Sequence, residues 1–219
     1  MTNSKLKIHQ VYKLKSGEIV PGVTTPLNLL GKEALIHWAW QCGVDGVDYR
    51  KARDEKGSIG TLVHSMILAD LKGMAIYLKD YPDYSNNQLD KAITCLVKYF
   101  DWKKGKNIEI IFCEQPLVSE EFRYGGTPDL AAIIEGTPTL VDFKSGRGIY
   151  DEYWYQLAAY RQLLSENDFT ATRYGIIRIG TDEKQDIEEQ WRNNLSREFE
   201  IFKHCLGIYN LRKAIKEEK

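Results

Sequence analysis

Asp129, Asp142 and Lys144 are the side chains in this sequence whose types and spacing suit chemistry. Asp142 and Lys144 lie two apart in the run Val141-Asp142-Phe143-Lys144. Side chains alternate across a strand, so carboxylate and ammonium share one face while Phe143 turns to the core. Asp129 closes the stretch Tyr124-Gly125-Gly126-Thr127-Pro128-Asp129, just ahead of the apolar run Leu130 to Ile134. Folding a hairpin about Gly136 brings the two carboxylates together. Acids so placed repel unless a cation lies between them. Hard oxygen donors suit Mg²⁺ or Mn²⁺, which keep several waters and complete their shell with a substrate's phosphates. A lysine beside such an ion orients and deprotonates a water or stabilises charge on phosphate.

Two short strands, 124–135 and 138–144, must hold these residues; the break between them is Gly136-Thr137-Pro138. In the helix that comes next, Ile149 to Ser165, Tyr153, Gln156 and Tyr160 recur at i, i+3 and i+7, and that face should look toward the acids. Leu163 and Leu164 continue the same side and imply burial. Upstream, Gly57 to His64 opens a helix whose apolar stripe is Ile59, Leu62, Val63, Met66 and Ile67. His64 falls on the flank of that stripe with Gly57 and Gly60. Two glycines cost a helix about 1 kcal/mol each against alanine and permit close approach by another backbone or a ligand.

At these residues the sequence resembles the PD-(D/E)XK nuclease superfamily, through Pro128-Asp129 followed by Asp142-Phe143-Lys144. Within it the sequence is most similar to the RecB-type branch, which adds a glutamine and a tyrosine after the lysine strand, matched by Gln156 and Tyr160, and an upstream histidine, matched by His64. The resemblance covers roughly 57–181. It implies an α/β fold, a restriction-endonuclease-like domain with a central mixed sheet flanked by helices, and metal-assisted hydrolysis of DNA phosphodiesters. It also implies roles. Asp129, Asp142 and the backbone carbonyl of Phe143 would hold Mg²⁺ or Mn²⁺, with His64 completing the shell. Lys144 would position the attacking water, and Gln156 and Tyr160 would orient Lys144 or contact the DNA backbone. Glu114, just before Pro116, matches a strand glutamate that such proteins often carry and is either a third acid or a surface residue at a strand end. Exonuclease action in recombination, repair or phage replication follows from the resemblance. The alternatives are a restriction-like or structure-specific endonuclease and a non-catalytic nucleic-acid-binding module, the intact acid, acid and lysine set arguing against the module.

A chain of 219 residues with 43% hydrophobic composition builds one sizeable core. We expect one domain over 1–219: an N-terminal hairpin and helices (1–105), a catalytic sheet and helix (106–181), and a C-terminal helix (182–219). No apolar run reaches the length of a membrane span, and Met1 to Lys7 lacks the apolar stretch of a signal peptide, so a cytoplasmic protein without membrane contact is expected. Cys42, Cys95, Cys113 and Cys205 show no CxxC spacing, which suggests neither a disulfide framework nor a zinc knuckle. Some RecB-type nucleases carry an iron–sulfur cluster on one early cysteine and a late cysteine group; with Cys205 alone late, no cluster is expected. A net charge of −1 and pI near 6.4 do not fit a protein that coats DNA electrostatically. A metal-dependent site instead brings bound cations to phosphate.

The rest of the chain reads as scaffold. Leu6 to Val23 forms a hairpin turning at Ser16-Gly17, Thr25-Pro26 starts a core helix over 26–42, and a further helix covers 89–103. Strands are expected at 108–118 and 171–181, and the apolar residues from Ile187 to Leu206 predict a helix over 184–216. Tyr77, Tyr81 and Tyr84 either pack on their own domain or stack unpaired bases. No basic recognition helix remains to read base edges, so linear DNA, preferably with a single-stranded end, is the expected partner.

Overall fold

Glu135 and Gly136 both take positive φ, 51° and 74°. That is the two-residue turn whose twist matches flanking strands. Around it the strands Leu130–Ile134 and Thr137–Lys144 pair antiparallel with Leu130 opposite Val141. One step further along this register Asp129 meets Asp142, so the hairpin delivers both acids to one end of the sheet.

The computed structural model describes residues 10–31 and 33–218. The first half of the chain holds β1 (Tyr12–Lys13), β2 (Ile19–Val20), α1 (Thr24–Leu27), α2 (Glu33–Val44), α3 (Tyr49–Leu71) and α4 (Asn86–Lys103). The second half holds β3 (Ile108–Cys113), β4 (Leu117–Ser119), β5 (Tyr124–Gly126), β6 (Leu130–Ile134), β7 (Thr137–Lys144), α5 (Asp151–Ser165), β8 (Arg173–Ile179), β9 (Ile187–Arg192) and α6 (Ser196–Glu217). Five strands form a central mixed sheet in the order β3-β6-β7-β8-β9. β7 and β8 are parallel, joined across α5, and the other neighbours are antiparallel. The fold is α/β with a helix-flanked mixed sheet, as the sequence predicted.

Alternation along β7 and β8 sorts the core onto two faces. Leu140 and Ile176 pack with Ala131 against α5 and α6. Val141, Phe143, Ile177 and Ile179 pack against α3 and α4 on the other side. Because both faces are covered, the centre of the sheet is apolar in nearly every position, and Asp142 is a charged residue buried within it at 1% exposure. Lys98 of α4 donates to the carbonyl oxygens of Gly180, Asp182 and Gln185, tying the loop after β8 to the helix layer.

Several elements depart from their predicted bounds. The predicted strand 108–118 divides at Glu114, which sits at φ 48°, and its second part, β4, pairs with β5 in a separate two-stranded sheet. The strand 124–135 likewise divides at Thr127-Pro128-Asp129, leaving Asp129 on the connector ahead of β6. The helix predicted from 184 begins at Ser196 instead, and Ile187 to Arg192 forms the edge strand β9. Ile187 and Trp191 satisfy a helical period and a strand period alike; Gly175 decides it, because the Trp191 ring lies where a Cβ at that position would stand, 2.3 Å away. The core helix over 26–42 is two helices, and α2 leaves Ile36, Trp40 and Val44 exposed. α3 starts early, its N-terminus capped by the Asp48 carboxylate accepting from Arg50 and Lys51 N–H groups, so Gly57 lies inside the helix. Tyr81 and Tyr84 pack against the domain, while Tyr77 is exposed. β1 and β2 pair as the N-terminal hairpin; its predicted beginning at Leu6 lies outside the described residues. Among the described residues no helix is long and apolar enough to cross a membrane.

Candidate active site

The site forms where β6 and β7 meet α3 on one side and α5 on the other. Asp142 and Lys144 point together toward α5, with Lys144 Nζ 2.6 Å from Asp142 Oδ2. Lys144 also donates to Gln156 Oε1 at 3.2 Å, and Gln156 Nε2 donates to the Tyr160 hydroxyl at 2.8 Å. The i, i+4 spacing of Gln156 and Tyr160 on α5 makes this relay possible. Tyr153, on the same face, lays its ring 4.9 Å from the ammonium. Asp129 approaches from the connector, its Oδ2 accepting the Phe143 N–H at 2.8 Å. The packing around that connector explains its glycines: the Tyr12 ring lies 2.3 Å and the Tyr160 ring 2.6 Å from where side chains at Gly125 and Gly126 would begin. Tyr12 also shares a hydrogen bond with Thr127 at 2.9 Å.

Charge is held here against burial. Burial, followed by Asp129 beside it, pushes the Asp142 carboxyl up to about 6, and Lys144 pulls the other way. Burial by itself would lower the Lys144 ammonium; the Asp142 and Asp129 carboxylates outweigh it and leave the group above its ordinary value. Both partners shift upward: the lysine stays charged, and burial outweighs what Lys144 does to hold the Asp142 carboxylate ionised. Asp142 Oδ2 makes this close ion pair but no well-directed hydrogen bond. The Tyr160 hydroxyl is raised well above its ordinary value by burial and then by the two acids, so it remains protonated.

His64 reaches the same place from α3. Its Nε2 lies 2.6 Å from the Phe143 carbonyl oxygen. A carbonyl only accepts, so Nε2 carries the proton in this arrangement. Nδ1 then faces Asp129 Oδ1 at 3.6 Å. A lone pair opposite a carboxylate repels it, and a proton or a metal ion between them removes the repulsion. Glu114 stands near but is engaged elsewhere, 3.4 Å from Lys72; its backbone N–H donates to the carbonyls of Pro128 and Asp129. Lys72 is a neighbour that sequence reasoning did not place near the site. Tyr153 was legible from its helical spacing, whereas Lys72 becomes a partner only through the packing of α3 against β3.

The donor set fits a hard divalent cation. Asp129 Oδ1, the Asp142 carboxylate and the Phe143 carbonyl all offer oxygens, two of these groups being anionic. Among the described residues no group of three His, Cys, Asp or Glu side chains is assembled as a metal site, so the backbone carbonyl would have to serve as one of the ligands.

No family model matches the sequence, and no curated protein matches it either. Solved structures similar to it include exonucleases. One is a candidate exonuclease from Eubacterium rectale, 13% identical, with a TM-score of 0.45 over 70% of this chain and 65% of that one. This chain therefore spans less than two thirds of that protein's length. Another is an alkaline exonuclease from Laribacter hongkongensis, 12% identical, with a TM-score of 0.35 over 70% of this chain and 84% of that one. The same enzyme in complex with dAMP matches at 12% identity and a TM-score of 0.33 over the same shares.

His64 is 30% exposed at its side chain, so replacing it should separate metal affinity from folding. The expected result for His64→Ala is weaker Mg²⁺ binding by calorimetry. The melting temperature should fall by no more than a few degrees, since one partly exposed hydrogen bond contributes about 1 kcal/mol. A large fall in melting temperature with metal affinity unchanged would make His64 a packing residue instead.

Proposed function

We propose that this chain is a Mg²⁺- or Mn²⁺-dependent DNA nuclease of the PD-(D/E)XK type that digests linear DNA from an end. The observation that carries the reading is the convergence of Asp129, Asp142, Lys144 and the Phe143 carbonyl at one end of the β6–β7 hairpin. Bound by these oxygens, the metal would polarise a phosphodiester and acidify a water.

The protein's own residues supply the rest. Lys144 has three N–H donors; Gln156 accepts from one while the ammonium ion-pairs with Asp142, which leaves donor capacity for a water or a phosphate oxygen. Its ammonium is held charged, so it suits orienting the water and stabilising developing charge rather than removing a proton. Gln156 is a positioning residue, its amide fixed by Lys144 at one end and Tyr160 at the other. His64 and Asp129 both hold the Phe143 backbone, one at its carbonyl and one at its N–H. Glu114 would add negative charge at the rim once drawn from Lys72. A role in recombination, repair or phage replication is consistent with end-directed digestion, and DNA would be the partner.

The test compares linear and covalently closed circular DNA with Mg²⁺ present. Linear DNA, especially with a single-stranded end, should shorten progressively while closed circles persist. Asp142→Asn, which removes one negative ligand, should abolish cleavage without unfolding the chain. Rapid cutting of closed circles into discrete fragments would identify an endonuclease, and full activity in Asp142→Asn would remove the catalytic reading.

A further inference from the structure

Tyr12 of β1 stands 115 residues from Thr127 in the chain, yet their hydroxyl oxygens are 2.9 Å apart. Bare backbone makes the approach possible. A Cβ at Gly125 would meet the Tyr12 ring at 2.3 Å and one at Gly22 would meet it at 3.0 Å, so the ring lies against two glycines that leave room for it. The chain after β2 then runs beside β5, where Gly125 donates its N–H to the Pro21 carbonyl at 2.9 Å and accepts the Val23 N–H at 2.8 Å. Gly126 is covered as closely, since a Cβ there would stand 2.9 Å from the Val23 side chain and 2.6 Å from the Tyr160 ring of α5. Burial raises the Tyr12 phenol above its ordinary value and the bond to Thr127 only partly offsets it, so the hydroxyl keeps its proton.

What the hairpin holds here is the connector that carries Asp129. Pro128 fixes its own φ and keeps Thr127 extended, so few soft torsions separate Thr127 from Asp129. A hold on the Thr127 hydroxyl is therefore felt at the carboxylate. Asp129 depends on its setting because its two oxygens face different partners: Oδ2 accepts the Phe143 N–H at 2.8 Å, while Oδ1 lies 3.6 Å from His64 Nδ1. We infer that Tyr12 is a positioning residue for Asp129, its hydroxyl bond to Thr127 setting the connector so that this carboxylate meets the Phe143 N–H with one oxygen and offers the other to a cation. The cation part rests on the metal-dependent reading of the site; the Phe143 contact does not. Hydrogen bonds behind the ligands of a metal site orient those ligands. Mg²⁺ demands near-ideal octahedral geometry and is more sensitive to a misaligned carboxylate than Ca²⁺, whose coordination is flexible.

Tyr12→Phe keeps the ring against Gly22 and Gly125 and deletes the hydroxyl. In the metal-free protein, hydrogen exchange at the Phe143 amide, followed by NMR, should quicken by roughly 3–10-fold, the range for losing one hydrogen bond. The amide of Ile177, opposite Phe143 on β8, should keep its rate. By calorimetry Mg²⁺ affinity should fall by a similar factor and Ca²⁺ affinity by less than about 2-fold. Thr127→Val should reproduce these changes, and the double variant should be no worse than either single, because both delete the same bond. Thr127→Ser, which keeps the hydroxyl, should behave as the wild type. The inference is overturned by unchanged Phe143 exchange in Tyr12→Phe, by equal acceleration at Ile177, by additive losses in the double variant, or by Mg²⁺ and Ca²⁺ affinities that fall alike. A wild-type chain that binds neither cation would instead defeat the metal-dependent reading, and the exchange rates would still decide whether Tyr12 sets Asp129.

Discussion

Lys144→Ala should lower turnover on linear DNA by about 10²–10⁴-fold, the range for removing a group that acts on the reacting atoms, while Mg²⁺ binding persists. Lys144 is not among the oxygen donors proposed for the metal, and its ammonium opposes a cation at the same carboxylates. Its loss leaves Asp142 buried and without its ion-pair partner, and breaking a buried pair by deleting one member costs about 3–5 kcal/mol. The metal-free variant should therefore melt lower than the wild type, and added Mg²⁺ should raise its melting temperature by more than it raises that of the wild type. Calorimetry, thermal melts with and without Mg²⁺, and turnover on a labelled linear duplex measure the three parts. A variant that no longer binds metal would place Lys144 in the scaffold of the metal site rather than in the chemistry.

Phe143→Ala should cost about 3–5 kcal/mol of stability, against a total of about 5–15 kcal/mol for a domain. The ring is 2% exposed and meets Tyr99 and Trp102 edge-to-face at 5.8 and 5.6 Å. The same residue's N–H and carbonyl are the atoms that Asp129 and His64 hold. Emptying the ring's pocket should then loosen the site as well as the core, so the urea midpoint and the activity should fall together. A loss under about 1 kcal/mol would show that β7 is not anchored through this ring.

The faces that Asp142, Phe143, Lys144, Gln156 and Tyr160 take were legible in the amino-acid sequence. Alternation put Asp142 and Lys144 on one side and Phe143 on the other, and the ion pair, the Asp129 contact and the Gln156–Tyr160 relay all arise from spacings within β7, α5 and one tight hairpin. These are local relations, and local periodicity transmits them. Packing settled whatever depends on a distant neighbour. Ile187 to Arg192 is a strand because the bare backbone of Gly175 admits the Trp191 ring, a contact that no period within the segment reveals. Glu114 ends β3 at positive φ because its N–H is taken by the carbonyls of Pro128 and Asp129, fourteen and fifteen residues away. The same packing brings Glu114 to Lys72, pairing an acid predicted for the metal with a lysine at the end of α3. His64 lies 79 residues from the carbonyl it touches; its helix was legible, but only the stacking of α3 on the sheet could bring the two atoms together.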